Sequence, residues 1–148
     1  MKSYGRETNK NLHVLIALAR GFMSVRRRET QTIRAGGLTV AQFAVIEVLY
    51  HKGALPVQTI TKKALTTSGN MTMVIQNLKK RGLVEKLENP KDKRSYLVNI
   101  TDKGRELFEE IFPGHLENIN QIFSVLDEEE KNELIKIMRK LGEEKDEI

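Results

Sequence analysis

Residues 8–33 carry apolar side chains on two lines at helical spacing, and this double face limits the folds open to the chain. Leu12, Leu15, Ile16, Ala19, Phe22 and Met23 follow the i, i+3, i+4 rule, and Val14, Leu18 and Val25 make a second line. A helix apolar on two faces must bury both. With 148 residues, 39% of them hydrophobic and 30% charged, a lone domain has a thin core with which to do so. Gly36-Gly37 stops this helix.

Further helices follow. Thr39-Val-Ala-Gln42 has capping-box spacing, and the run from Phe43 to Tyr50 is apolar nearly all round, which places that helix at the centre. Leu55-Pro56-Val57 reads as an extended link. Residues 58–65 read as a short helix with Ile60, Ala64 and Leu65 inward. A turn at Thr66-Thr67-Ser68-Gly69 follows, with Thr67 or Ser68 as the next N-cap. The helix after it runs to Arg81. Met71, Val74, Ile75 and Leu78 form its core stripe, and Asn70, Thr72, Met73, Gln76, Asn77 and Lys80 its polar face. Gly82 suits the left-handed position that ends it.

Leu83–Leu87 and Tyr96–Ile100 are β-like runs, joined by a charged loop containing Asn89-Pro90. Thr101 then caps a helix with the stripe Leu107/Phe108, Ile111/Phe112, Leu116, Ile119 and Ile122/Phe123. Pro113 is expected to kink or break it near Phe112. Asp127 opens a last capping box, with Leu134, Ile137, Met138 and Leu141 as its stripe. Glu128-Glu129-Glu130 suits a capped helix start better than a protein-binding acid patch.

Charge is unevenly spread. The formal net charge is +5, but residues 1–52 and 53–101 each carry +6 and residues 102–148 carry −7. A basic front suits a polyanion. No run approaches the ~20 apolar residues of a membrane span. The short run from Leu12 to Ala19 reads as a helix face, not a signal peptide, so no membrane partner is expected. The chain has no cysteine, which excludes a disulfide frame, a thiolate nucleophile and a thiol switch, and fits a cytoplasmic setting. His13, His51 and His115 lack metal-motif spacing, and no nucleophile elbow or Gly-rich phosphate loop occurs. Neither an enzyme nor a metal or other cofactor is expected.

Short helix, turn, polar-faced helix, glycine stop and hairpin with a basic tip together make a winged helix-turn-helix. The second helix of such a unit lies in the DNA major groove. Asn70 and Gln76 are amides that can pair with adenine, Thr72 can bond either base class, and Thr72 or Met73 can touch a thymine methyl. Met73 as a plain surface residue stays open. Thr67 and Ser68 suit a phosphate at the helix start. Lys79, Lys80 and Arg81 form a basic patch. Lys91, Lys93 and Arg94 make a tip able to enter a narrow minor groove.

On these residues the chain resembles the MarR family of transcriptional regulators. The matching pieces are Leu38–Phe43, Thr67–Thr72 leading to Leu78–Val84, Asp92-Lys93-Arg94-Ser95, and Ile100–Gly104. The resemblance implies a mainly α fold with a small β-hairpin wing and a single MarR-like domain over 1–148. Within it, 1–37 and 102–148 would supply dimerisation helices and 38–101 the DNA-binding lobe. It also implies a homodimer on a pseudo-palindromic operator in double-stranded DNA. Arg94 would be the minor-groove arginine, and Asp92 would orient a neighbouring arginine not identified from sequence. Many members carry Arg and Asp where this chain has Met73 and Gln76, which leaves the operator sequence open.

His51-Lys52-Gly53, Ser68-Gly69-Asn70 and Ile111–His115 are similar to the subgroup answering phenolic or quinone compounds. A small aromatic effector would bind noncovalently between dimer layer and lobe, with His13, Phe43, Glu47 and Tyr50 as its contacts. The expected function is a ligand-responsive dimeric repressor. A winged helix that docks a protein partner, or a nonspecific architectural DNA binder, remains an alternative.

Overall fold

Side-chain caps fix where the helices begin. Thr39 Oγ1 accepts from the Gln42 amide at 3.1 Å, and Gln42 Oε1 accepts from the Thr39 amide at 3.0 Å, closing the expected box. Thr101 Oγ1 accepts from the Gly104 amide, and Asp127 Oδ1 from that of Glu130. The computed structural model describes residues 2–64 and 70–142. Its elements run α1 (Arg6–Ala35), α2 (Val40–Lys52), β1 (Leu55–Pro56), α3 (Val57–Lys63), α4 (Met71–Lys80), β2 (Val84–Glu88), β3 (Tyr96–Ile100), α5 (Asp102–Phe123) and α6 (Glu128–Gly142). The fold is a winged helix flanked by long helices. No single helix among the described residues is long and apolar enough to cross a membrane.

The core lies in the winged lobe and is centred on α2, which buries Phe43, Ala44, Val45, Ile46 and Leu49. Around it pack Ile60 of α3, the Met71, Ile75 and Leu78 stripe of α4, and Val98 and Ile100 of β3. Phe108 and Ile111 of α5 and Ile33 at the end of α1 close it. The sheet is antiparallel in the order β1-β3-β2, with Val84 opposite Ile100 and Glu88 opposite Tyr96. Leu55-Pro56 is therefore more than the expected link, since it pairs with Val98 and Leu97. A two-residue strand has no period to read.

Gly82 and Gly104 are among the glycines that their positions require. Gly82 sits at φ +74°, the left-handed conformation that ends α4. At Gly104, in the first turn of α5, a Cβ would run into the Leu83 carbonyl and lie 2.9 Å from the Ile100 side chain.

The break expected near Phe112 is absent, and α5 continues through Pro113. Proline costs the helix one hydrogen bond there, but tertiary anchors hold both sides. Ile111, His115 and Ile122 are buried. Thr32 Oγ1 and His115 Nδ1 are hydrogen-bonded at 3.1 Å, and Asn118 Nδ2 donates to the Arg28 carbonyl at 2.9 Å. Packing against α1 thus overrides the local preference.

The outer helices differ from the lobe. Ile33 is the buried residue of α1, and α6 buries none. Phe22 is 62% exposed and Met23 68%, and Leu134, Ile137 and Leu141 of α6 are also exposed.

Candidate nucleic-acid interface

The polar face of α4 is fully presented to solvent. Thr72, Met73, Gln76, Asn77, Lys79 and Lys80 are exposed, while Met71, Ile75 and Leu78 hold the helix to the core. The expected cap is corrected. Asn70 is the N-cap, its Oδ1 accepting from the Met73 amide at 3.1 Å. Its side-chain oxygen is thereby occupied, which removes one half of a bidentate adenine contact. Gln76 is exposed. Thr67, Ser68 and the turn around them lie outside the described residues.

The wing tip is shaped by its own polar side chains. Asn89 Oδ1 accepts from the Lys91 amide at 3.1 Å, and Asn89 Nδ2 donates to Ser95 Oγ at 2.9 Å. Asp92 Oδ1 accepts from the Arg94 amide at 3.0 Å and lies 4.0 Å from Arg94 Nε. Among the described arginines, Asp92 thus lies against Arg94, two residues on. Asp92 acts chiefly on its backbone, because the guanidinium is 97% exposed and so exposed a pair adds little stability. Lys91, Asp92, Lys93 and Arg94 all stand exposed at the tip. Beneath the hairpin lies a concavity of about 820 Å³ lined by Lys86, Lys93, Arg94 and Tyr96 among others. Lys86 Nζ sits 4.1 Å from the Tyr96 ring centre. This surface can hold a phosphate backbone along its basic side chains while Arg94 projects beyond it.

The residues expected at an effector site separate into two groups. Phe43, Glu47 and Tyr50 share α2, and Phe43 and Tyr50 pack on α5, where a ring cluster forms. Phe43 is 5.6 Å from Phe108 and 4.8 Å from His115, centre to centre, and Tyr50 is 4.4 Å from Phe108. His51 packs edge-on to Phe108 and Phe112. His13 does not join them within one chain. It is exposed on α1, sixteen residues before Glu29, or about 24 Å along the axis at the α-helical rise. The sequence reading placed Phe108 and Phe112 in a helical stripe and Phe112 and His115 in the subgroup motif but did not join them to Phe43 and Tyr50, although 108, 112 and 115 share one helix face at i, i+4, i+7.

Three titrating groups border this cluster. Burial raises the Glu47 carboxyl above its ordinary 4.5; nearby His51 opposes the shift and Glu29 adds to it. Burial also lowers the His115 ring below 6.5, against the pull of Glu29. Tyr50 Oη donates to Glu109 Oε1 at 3.0 Å, and that bond raises the phenol above 10.0. Burial thus disfavours the charged forms of Glu47 and His115 beside the stacked rings, and the Glu109 bond holds the Tyr50 proton. No group of three or more His, Cys, Asp or Glu able to hold a metal occurs among the described residues.

An exposed polar recognition helix beside a basic hairpin defines a winged helix-turn-helix protein of the DNA-binding type. Comparison with known proteins narrows the class. The MarR family model matches residues 38–96. The chain is 37% identical to the HTH-type transcriptional regulator MhqR of Bacillus subtilis (strain 168), over 91% of this chain and 93% of that one. Among solved structures it is similar to Bordetella bronchiseptica BpsR, with TM-score 0.79 and 30% identity over 89% of this chain and 94% of that one. It shares its fold with Streptomyces coelicolor Sco3205, with TM-score 0.84 and 21% identity over 97% and 91%. The chain belongs to the MarR family, and it is a DNA-binding transcriptional regulator.

Proposed function

We propose that this regulator is a cytoplasmic homodimeric repressor that binds a pseudo-palindromic operator and releases it on binding a small aromatic effector. The observation carrying the DNA mode is the joint exposure of the α4 polar face and the Arg94 wing tip on elements held by one core. Gln76, Thr72, Met73 and Asn77 would face base edges. Lys80, Lys91 and Lys93, with Thr67, Ser68 and Asn70 at the helix start, would face backbone, and Arg94 the minor groove. Residues 38–101 form the reading lobe in this scheme. Residues 1–37 and 102–148 form the dimer layer, which would cover the exposed apolar faces of α1 and α6. Half-sites then fall about one helical turn apart.

The effector site would be the ring cluster between α2 and α5, with Phe43, Glu47 and Tyr50 on one wall and Phe108, Phe112 and His115 on the other. Stacked rings beside hydrogen-bonding side chains suit a phenolic ring. The related BpsR has its DNA binding regulated by 6-hydroxynicotinic acid. A ligand acts here by favouring a lobe spacing that no longer fits both grooves, which requires differential affinity for the two spacings.

Fluorescence anisotropy with the DNA upstream of the chain's own coding sequence, against a scrambled duplex and across a salt series, tests the reading. Specific binding should fall with salt at a slope of about 0.9 per phosphate contact. Arg94→Ala should weaken binding to every duplex and lower that slope. Equal, weak binding to both duplexes would remove the operator reading and favour a protein partner.

A further inference from the structure

The winged lobe joins the α1–α5 layer through two stretches of chain, the α1–α2 corner and the β3–α5 junction. One residue at the end of the recognition helix is bonded to both. Arg81 is the C-cap of α4. Its Nη1 donates to the Gly37 carbonyl in the first corner at 2.9 Å and to Gln42 Oε1 at 3.4 Å. That Gln42 oxygen is the one that accepts from the Thr39 amide and opens α2. On the other side, the Arg81 carbonyl accepts from Lys103 Nζ in the first turn of α5 at 2.9 Å. The next carbonyl, of Gly82, accepts from Thr101 Oγ1 at 2.6 Å. The side chains of Lys79 and Lys80, beside Arg81 in the chain, make no hydrogen bond or ion pair to any described residue.

We propose that Arg81 is a positioning residue that sets the pitch of α4 against the α1–α5 layer, and so the separation of the two recognition helices. The proposal rests on the dimeric reading above. A guanidinium directed at a backbone carbonyl and a capping amide serves the protein's own geometry, whereas a phosphate contact would need it turned outward. Both crossings are tied to one helix end, so a shift of either crossing reaches α4 without passing through the core.

Because the chain has no cysteine, Met73→Cys gives a single nitroxide site on each recognition helix. Double electron–electron resonance on the full chain without DNA then reads the distance between the two helices. Arg81→Met is expected to widen the distance distribution about twofold by populating further pitches, while thermal unfolding by circular dichroism shows the lobe still folded. Arg81→Lys keeps a charged donor on a shorter stem and is expected to restore part of the width. An unchanged distribution in Arg81→Met overturns the proposal. So does an unchanged distribution accompanied by a DNA salt slope lower by about 0.9, which would make Arg81 a phosphate contact. A parent protein with no dipolar signal would be monomeric, and the dimeric reading would fall with the proposal. A parent with a signal and an unaltered variant removes the proposal alone.

Discussion

Phe108 and Phe22 are the same side chain in opposite circumstances. Phe108 is fully buried where α5 meets α2, and Phe22 on α1 is 62% exposed. The winged lobe completes its core inside one chain, while α1 and α6 hold an apolar face that the chain leaves uncovered. Exposed apolar surface on this scale marks an interaction site. The lobe carries its own core, and the outer helices present apolar faces that a second surface would cover.

Three changes test that contrast. Phe108→Ala should have the largest effect, about 3–5 kcal/mol of stability lost on emptying a buried ring site, read by urea unfolding. A loss under about 1 kcal/mol would mean the lobe does not depend on that ring stack. Phe22→Asp should leave the lobe folded yet convert a dimer to monomers in sedimentation. Loss of bivalent attachment should cut operator affinity about a hundredfold; an unaltered sedimentation coefficient would detach α1 from the interface. Glu47→Gln should have the smallest effect. The folded state holds the Glu47 carboxyl above 4.5 by burial, so this group favours folding most below that pH and loses its contribution as pH rises through the folded value. The glutamine variant should therefore melt higher than the parent at neutral pH, with the gain vanishing at acid pH. A gain independent of pH would assign the effect to packing.

Much of the lobe was legible in the sequence because local chemistry decides it. Thr39, Thr101 and Asp127 cap as their spacing requires, and Gly82 stops α4 at a left-handed angle. The errors fall where distant contacts decide. Local rules break α5 at Pro113, but Thr32 and Arg28 on α1 hold the turns beyond it. The cap of α4 falls on Asn70 and not on Thr67 or Ser68 because the helix starts later than turn chemistry suggests. The polar face of α4 and the basic tip were readable from the chain. The α5 half of the ring cluster was not, because a helical stripe of aromatics reads the same whether it packs against a core or lines a site.

The uneven charge of the sequence also becomes an arrangement in space. The winged lobe is strongly basic, while α5 is acidic and α6 is balanced, and both lie outside it. Such a molecule has an electric dipole, and a polyanion turns it before contact. Arrivals with the wing foremost are drawn in, while the flanking helices, where basic α1 offsets acidic α5, add little pull. Charge placed so far from the base edges adds nothing to sequence discrimination. It acts on how often an encounter begins in a useful orientation, and added salt should slow that first step.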